Sequence, residues 1–366
     1  MGATIIGTGK ALPALRVSND DLSKLVDTSD EWIVQRTGIH NRRIAVTETT
    51  TDLAATASAG AMGLPYDCGV ESHGWTRAQV KPEDIDLVIC MTVTADATVP
   101  SQAAMVRQRL GLVNAVCFDL NAACAGCVYG MVVAQQMMTA SHLVEGGNQF
   151  NHVLVVAAER LTHITDWTDR TTCVLFGDGS GAAVLEWRDD EPGIMSSFLA
   201  NTDDFKMTLT RRNPLSAIPE TYFPFDQNGV VAEERESEAP REVDINPVGD
   251  NPFLVMNGRS VFKFATYAVV DAVHTVLDRA GVAIEDIACI VPHQANERII
   301  AFAAKKLDLP LDLFQISIGE VGNSSSASAM MALCDAFEGG RIKPGDKAIM
   351  VGFGGGLTAG AILFQA

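Results

Sequence analysis

The chain has 366 residues, of which 47% are hydrophobic and 20% are charged, as is usual for a folded globular protein of one or two domains. Its formal net charge of −18 disfavours a nucleic-acid partner, because binding to phosphate backbones requires clustered positive charge. No apolar run is expected to cross a bilayer, and residues 1–7 lack the basic start of a signal peptide, so we expect a cytoplasmic protein without membrane association. The eight Cys lack metal-type spacing, and free thiols without a metal site are therefore expected.

Strand and helix patterns alternate along the first half of the chain. Residues 1–7 indicate a first strand, residues 84–91 a buried strand after an acidic turn, and residues 115–120 a strand that leads into a helix over 128–137. Residues 176–185 follow as a glycine turn that feeds another strand. Such alternation predicts an α/β fold with parallel or mixed sheets.

The second half of the chain repeats the order of these patterns. The members of each pair share a strand pattern and the kind of turn that adjoins it. The pairs are 84–91 with 285–292, 117–124 with 314–323, and 176–185 with 353–363. Chance similarity between Gly-rich strand ends is the alternative. The repetition predicts two similar halves, residues 1–188 and 189–366.

Two stretches have the composition of insertions. Residues 65–82 contain two Pro and two Gly, and residues 203–252 contain six Pro, many acidic residues and little periodicity. The second stretch is predicted to be a mobile surface loop, and a lid or subunit arm is the less favoured interpretation.

Cys124 is a candidate nucleophile because it lies where a predicted strand gives way to a predicted helix. Small residues flank it in the segment 121–127, so a substrate can approach the thiol. The helix start offers free N–H groups and the positive end of the helix dipole, which favour thiolate over thiol. Two alternatives remain open at this point: a buried structural Cys, and a redox pair with Cys127.

Two further polar residues follow predicted strands, where ligands of α/β proteins collect. His293 lies in the segment 292–298, and Asn323 lies in the segment 322–328. A single His or Asn in such a place is more often structural than functional. The combination of Cys, His and Asn at three strand ends is more informative.

Together these segments resemble the β-ketoacyl-acyl-carrier-protein synthase III family of the thiolase superfamily. The motifs that carry the resemblance occur in the family's order. They are residues 27–34 with 36–39, 123–126, 176–179, 292–296, 322–323 and 353–356. The resemblance covers nearly the whole chain outside the two insertions.

The resemblance implies a thiolase-like, five-layered αβαβα sandwich, a homodimer, and a reaction with acyl-CoA and malonyl-carrier protein. Its catalytic residues correspond to Cys124, His293 and Asn323. The backbone N–H groups of Cys124 and Gly355 would stabilise the oxyanion, while His293 and Asn323 would stabilise an enolate, since Asn cannot act as a base. The CoA thioester is a substrate, and no cofactor is expected.

The resemblance also assigns three groups of binding residues. The CoA-binding group is Thr28, Trp32, Arg36, Arg170, Gly258, Phe262, Ala295 and Asn296, with adenine held between Trp32 and Arg170. The primer-pocket group is Val99, Leu161, Phe176, Leu254 and Phe353. The group that would dock the acidic carrier protein is Arg259, Lys263, Arg298, Lys305 and Lys306.

Primer choice is the point at which the chain departs from the family pattern. Members selective for acetyl primers often have Phe where this chain has Val99, a residue that the partner subunit contributes, and Cys127 also stands where Phe is usual. A roomier primer pocket is therefore expected. Three other activities remain as alternatives: a condensing enzyme that makes a polyketide or quinolone starter, a Cys hydrolase, and a non-catalytic scaffold.

Overall fold

The computed structural model of the chain describes residues 1–211 and 252–366. In chain order its elements are β1 (Gly2–Leu12), β2 (Leu15–Ser18), α1 (Asn19–Leu22), α2 (Asp30–Thr37), β3 (Asn41–Ile44), α3 (Thr50–Met62), β4 (Glu71–Thr76), β5 (Leu87–Met91), α4 (Gln102–Arg109), β6 (Val116–Leu120), α5 (Gly126–Leu143), β7 (His152–Arg160), β8 (Asp178–Arg188), β9 (Ile194–Asn201), β10 (Leu209–Thr210), β11 (Val255–Met256), α6 (Gly258–Ala280), β12 (Ile287–Pro292), α7 (Glu297–Lys306), α8 (Ile318–Val321), α9 (Ser326–Glu338), β13 (Lys347–Gly354) and β14 (Thr358–Gln365). The predicted alternation of strands and helices is confirmed.

Two mixed sheets form the framework of the fold. The first has the order β4-β1-β8-β7-β5-β6, and the second has the order β12-β13-β14-β9. β5 pairs in parallel with β6 and β7, and β12 pairs in parallel with β13. β8 and β9 lie on either side of the predicted boundary at residue 188, but the division into two similar halves stays a prediction.

Helices pack on both faces of both sheets. α3 lies on the outer face of the first sheet against β1 and β8, α5 and α9 lie between the sheets, and α6 lies on the outer face of the second sheet. The central layer is apolar on both sides: Met131 of α5 and Met330 of α9 pack with Val155 of the first sheet and Met350 of the second. The layers therefore follow the order αβαβα, which is the predicted thiolase-like sandwich.

By length and composition alone, α6 could cross a bilayer. The expectation that no apolar run is long enough to do so is therefore wrong. One of its faces is buried. Val269, Val273 and Val276 pack with Ile290 of β12 and Leu363 of β14. These contacts are those of a core helix, because an amphipathic helix buries its apolar stripe against a sheet.

The strand predicted over residues 314–323 is wrong. Phe314 alone pairs with Ile290 through an isolated bridge, and the chain then turns into α8. The side chain of Gln294 takes the place of a neighbouring strand: its Oε1 accepts the Ser317 N–H at 2.8 Å, and its Nε2 donates to the Gln315 carbonyl at 3.0 Å. Buried backbone groups need such partners.

The two suspected insertions differ in what the structure describes. Residues 65–82 contain β4, which pairs with β1 at the edge of the first sheet. Most of the stretch 203–252 lies outside the described residues, so its interpretation as a loop stays a prediction. β10, near its start, pairs with β11, which lies just after its end.

Candidate active site

A tight turn between β6 and α5 carries Cys124. The turn spans Ala123–Ala125, and Ala123 adopts a left-handed backbone conformation with φ of 46°. Cys124 itself is 8% exposed. Gly354 lies against it so closely that a Cβ on Gly354 would be 2.6 Å from the Cys124 Cβ. Glycine therefore lets the loop after β13 touch the nucleophile.

Three donors surround the Cys124 thiol. The Ser325 hydroxyl donates to Sγ at 3.3 Å, and the backbone N–H groups of Gly355 and Cys124 also hydrogen-bond to the sulfur. Burial nevertheless raises the pKa of Cys124 to about 11, against the lowering by these donors. The backbone donors lower the pKa as the sequence predicts, but burial outweighs them. The two N–H groups lie where the sequence predicts an oxyanion site, although their role stays a prediction.

His293 lies just after β12 and is 1% exposed. Its Nδ1 is 2.6 Å from the Ser328 Oγ, and the Gln294 N–H donates to the same Oγ at 3.0 Å. The ring packs edge-on against Phe353, with 5.0 Å between ring centroids. Burial lowers the pKa of His293 to about 3, although a hydrogen bond to the Ser325 backbone opposes the shift. The imidazole is therefore neutral near pH 7, and Ser328 and Phe353 fix its orientation.

Asn323 is held by its backbone and by one end of its side chain. Its N–H donates to the Leu175 carbonyl at 2.8 Å, and its carbonyl accepts the Gly177 N–H at 3.0 Å. Its Oδ1 accepts the Ser325 N–H at 2.9 Å. Because the amide oxygen already has this partner, the Nδ2 group is the end that can donate to a ligand.

One cavity of about 1250 Å³ reaches all three of these side chains. Cys124, His293 and Asn323 line it together with Gly355, so the structure brings the predicted catalytic group into one site. The volume exceeds what a single small ligand requires and suits a long thioester substrate.

The predicted CoA-binding residues divide into two groups. Those that line the cavity are Trp32, Arg36, Gly258, Phe262, Ala295 and Asn296. Thr28 and Arg170 are not among the described lining residues. The Arg170 guanidinium lies 4.6 Å from the Trp32 ring centre and pairs with Asp27 at 3.2 Å, while Arg36 also stacks on Trp32, at 4.4 Å. Trp32 and Arg170 are thus in direct contact, without the gap that an adenine between them would need.

The primer-pocket residues also divide. Leu161, Phe176, Leu254 and Phe353 line the cavity, and the first three pack with one another. Val99 is 86% exposed and lies outside the lining of its own chain's cavity. Its assignment to the pocket therefore depends on a partner subunit and stays a prediction.

The predicted docking residues lie on α6 and α7, which pack side by side. Arg259 and Arg298 line the cavity, whereas Lys263, Lys305 and Lys306 are exposed beyond it. The helices are joined by Arg298 over Phe262 at 5.8 Å and by the ring pair of Phe262 with Phe302 at 6.4 Å. Within α7, Lys306 lies over Phe302 at 5.6 Å. Arg259 and Arg298 therefore border the cavity, while docking itself stays a prediction.

The redox alternative for Cys127 has no support in the geometry. Cys127 is not among the described residues that line the cavity, and its thiol donates a hydrogen bond to the Cys124 carbonyl at 3.7 Å. Burial raises the pKa of Cys127 to about 12, and both thiols are free. In the described part of the chain, no group of His, Cys, Asp and Glu could hold a metal ion.

Some site residues were not predicted from the sequence. Ser325 and Ser328 contact the predicted nucleophile and His, and only the serine run after Asn323 could have indicated them. Arg211 lines the cavity without any local motif. Glu159 is fully buried near Cys124, and burial raises its pKa to about 7 although the Thr94 hydroxyl and neighbouring groups donate to it.

Comparisons with known proteins agree over nearly the whole chain. The family model described as 3-oxoacyl-[acyl-carrier-protein (ACP)] synthase III matches residues 118–203, and the model of its C-terminal part matches residues 277–366. The β-ketoacyl-[acyl-carrier-protein] synthase III of Clostridium acetobutylicum is 41% identical over 99% of this chain and 98% of its own.

Solved structures give the same result. The 3-oxoacyl-[acyl-carrier-protein] synthase III of Aquifex aeolicus is 35% identical, with a TM-score of 0.81 over 100% of both chains. The priming β-ketosynthase of the R1128 polyketide pathway is 32% identical, with a TM-score of 0.82 over 100% of this chain and 96% of its own.

Proposed function

The chain belongs to the β-ketoacyl-[acyl-carrier-protein] synthase III family of condensing acyltransferases, and we propose that it joins an acyl-CoA primer to malonyl-carrier protein at the start of fatty-acid synthesis. The observation that carries the proposal is the single cavity that Cys124, His293 and Asn323 share beside two backbone donors. A cytoplasmic location is expected for this reaction.

In the first half-reaction the Cys124 sulfur attacks the primer thioester. The Cys–acyl bond forms, the acyl–CoA bond breaks, and the thiol proton leaves with the CoA sulfur. The tetrahedral oxyanion would be stabilised by the N–H groups of Cys124 and Gly355, which lie beside the sulfur. Because the pKa of Cys124 is about 11 before substrate binds, the thiol must lose its proton as the attack proceeds.

In the second half-reaction malonyl-carrier protein loses carbon dioxide, and enolate charge develops on its thioester oxygen. The Asn323 Nδ2 group and an N–H of His293 would donate to that oxygen. The enolate carbon then attacks the acyl group, the Cys124–acyl bond breaks, and the Cys124 thiolate takes up a proton. A neutral His suits this donor role, and burial keeps the His293 imidazole neutral.

A homodimer is part of the proposal, since Val99 must reach a partner's pocket to affect primer choice. Val99 is 86% exposed. β6 is the edge strand of the first sheet, and its Val116 is 41% exposed. An unpaired edge strand with exposed apolar residues can pair with a second copy. Sedimentation of the native protein tests this arrangement.

The two half-reactions provide the test of function. Cys124→Ala should accept no acyl group from acyl-CoA, as seen by intact-protein mass spectrometry. His293→Ala and Asn323→Ala should acylate normally but condense about 10²- to 10³-fold more slowly, because each loses one enolate donor. A stable acyl adduct on Cys124→Ala would refute the nucleophile assignment, and normal condensation by Asn323→Ala would refute the enolate role.

A second candidate function is the supply of starter units to a polyketide pathway. The likeness to the R1128 priming β-ketosynthase favours it, because the two chains align over their whole lengths. Product mass with acetyl-CoA and with longer primers separates the candidates. A clear preference for short linear or branched primers that enter membrane lipids supports the fatty-acid role.

A further inference from the structure

The cavity is strongly cationic although the chain is acidic. Four arginines are among its described lining residues, namely Arg36, Arg211, Arg259 and Arg298, and no Asp or Glu is among them. The whole chain has a net charge of −18. A positive cleft on an acidic protein concentrates anions at one place. Three of these arginines belong to the predicted CoA and docking groups, and Arg211 belongs to neither.

Arg211 follows β10, at the base of the long segment that precedes β11. Its Nε donates to the Pro252 carbonyl at 3.2 Å, which fixes the guanidinium on the β10–β11 side of the cavity. No described carboxylate forms an ion pair with it, and its two terminal nitrogens have no described protein partner. Burial lowers the pKa of Arg211, but a guanidinium remains protonated near pH 7. It therefore presents to the cavity a positive fork that no carboxylate in residues 1–211 or 252–366 pairs with.

The neighbours of Arg211 show which part of a substrate it faces. Leu209, two residues earlier, packs on the oxyanion loop, because a Cβ on Gly355 would be 3.4 Å from its side chain. Along an extended segment, two residues advance by about 7 Å. Arg211 lies two residues beyond Leu209 and lines the same cavity as Gly258 and Asn296 of the predicted CoA group, so its guanidinium is available to the rest of the pantetheine arm.

We propose that Arg211 binds the 4′-phosphate of the pantetheine arm, the group that acyl-CoA and malonyl-carrier protein have in common. This inference rests on the proposed function, which supplies both substrates. Arginine is suited to the task because its planar fork can donate two hydrogen bonds to one phosphate. One residue of the β10–β11 pair would then hold the substrate arm in both half-reactions.

The test uses three acyl donors: S-butyrylpantetheine, S-butyryl-4′-phosphopantetheine, which adds the 4′-phosphate, and butyryl-CoA, which adds the 3′-phosphoadenosine 5′-phosphate as well. In Arg211→Gln, kcat/KM for acylation should fall about 10- to 100-fold with the two phosphorylated donors and stay unchanged with S-butyrylpantetheine. Condensation with malonyl-carrier protein should fall by a similar factor. Arg211→Lys should recover part of the loss, since it restores charge but not the fork.

The matched control is Lys206→Gln, which removes the same charge from an exposed residue of the same segment outside the cavity lining. It should leave all three donors unaffected. An equal fall in the kcat/KM of Arg211→Gln with all three donors would overturn the inference and indicate a structural role for Arg211. Loss with butyryl-CoA alone would also overturn it and assign Arg211 to the adenosine phosphates. If the wild-type protein accepts none of the donors, the proposed function fails instead.

Discussion

Gly354→Ala should impair acyl transfer more than it impairs folding. The backbone at Gly354 is extended, with φ of 171°, so an alanine can adopt it without torsional strain. The cost arises only from contact. The new Cβ would lie 2.6 Å from the Cys124 Cβ and 3.0 Å from both the Cys124 nitrogen and Sγ. Only Sγ ends a side chain, and rotating it away would leave the contacts with Cβ and the backbone nitrogen.

The size of the effect follows from what must move. Overpacking of a close-packed site costs about 1–3 kcal/mol of folding stability. Relief of the contact shifts the loop that carries the Gly355 N–H away from Cys124, so one oxyanion donor loses its alignment. Loss of one such donor slows acyl transfer by about 10²- to 10³-fold. We therefore expect a folded variant whose rate of acylation falls by about that factor.

The assay is a time course of the acyl adduct by intact-protein mass spectrometry, with circular dichroism as the check on folding. Gly147→Ala is the matched control, because a Cβ there meets no atom within 4 Å. It should acylate at the wild-type rate. A folded Gly354→Ala variant that acylates within about threefold of wild type would show that the loop does not align the oxyanion donor.

Three further predictions concern the thiol, the docking helices and the primer pocket. The rate of alkylation of Cys124 by iodoacetamide should rise about tenfold per pH unit between pH 7 and 10, since the thiol has a pKa of about 11. Ser325→Ala should slow alkylation at every pH, because the Ser325 hydroxyl lowers that pKa. A plateau in the rate below pH 8 would contradict this. Lys263→Glu with Lys306→Glu should raise KM for malonyl-carrier protein and spare acylation by acyl-CoA, and an equal loss in both would exclude docking. Val99→Phe should shift kcat/KM from butyryl- towards acetyl-CoA by about tenfold, and an unchanged ranking would exclude the pocket role.

The sequence was sufficient to predict the layered fold and the three polar residues of the site. Buried strands with small-residue turns leave a strong local pattern, as residues 84–91 and 176–185 show. Cys124 and His293 each follow such a strand, whereas Asn323 was found through its family motif, since the strand predicted before it is absent from the described residues 314–323. Strands and turns that are determined by the order of neighbouring residues can therefore be predicted from the sequence.

Features that depend on distant contacts were missed. The strand expected over 314–323 is replaced because the side chain of Gln294 takes its backbone partners, a contact between segments about 20 residues apart. The pKa of Cys124 rises because burial, a property of the whole fold, outweighs the local donors. The direct stacking of Arg170 on Trp32 likewise joins residues from separate parts of the chain.

The same contacts distinguish a condensing site from a Cys hydrolase. In a hydrolase the Asn side chain would orient the His, and the His would take the thiol proton. Here the Asn323 Oδ1 is engaged by the Ser325 N–H, and the His293 Nδ1 faces Ser328. A His with a pKa of about 3 is also a weak base near pH 7. Both side chains are instead arranged as neutral donors, which is what a developing enolate requires.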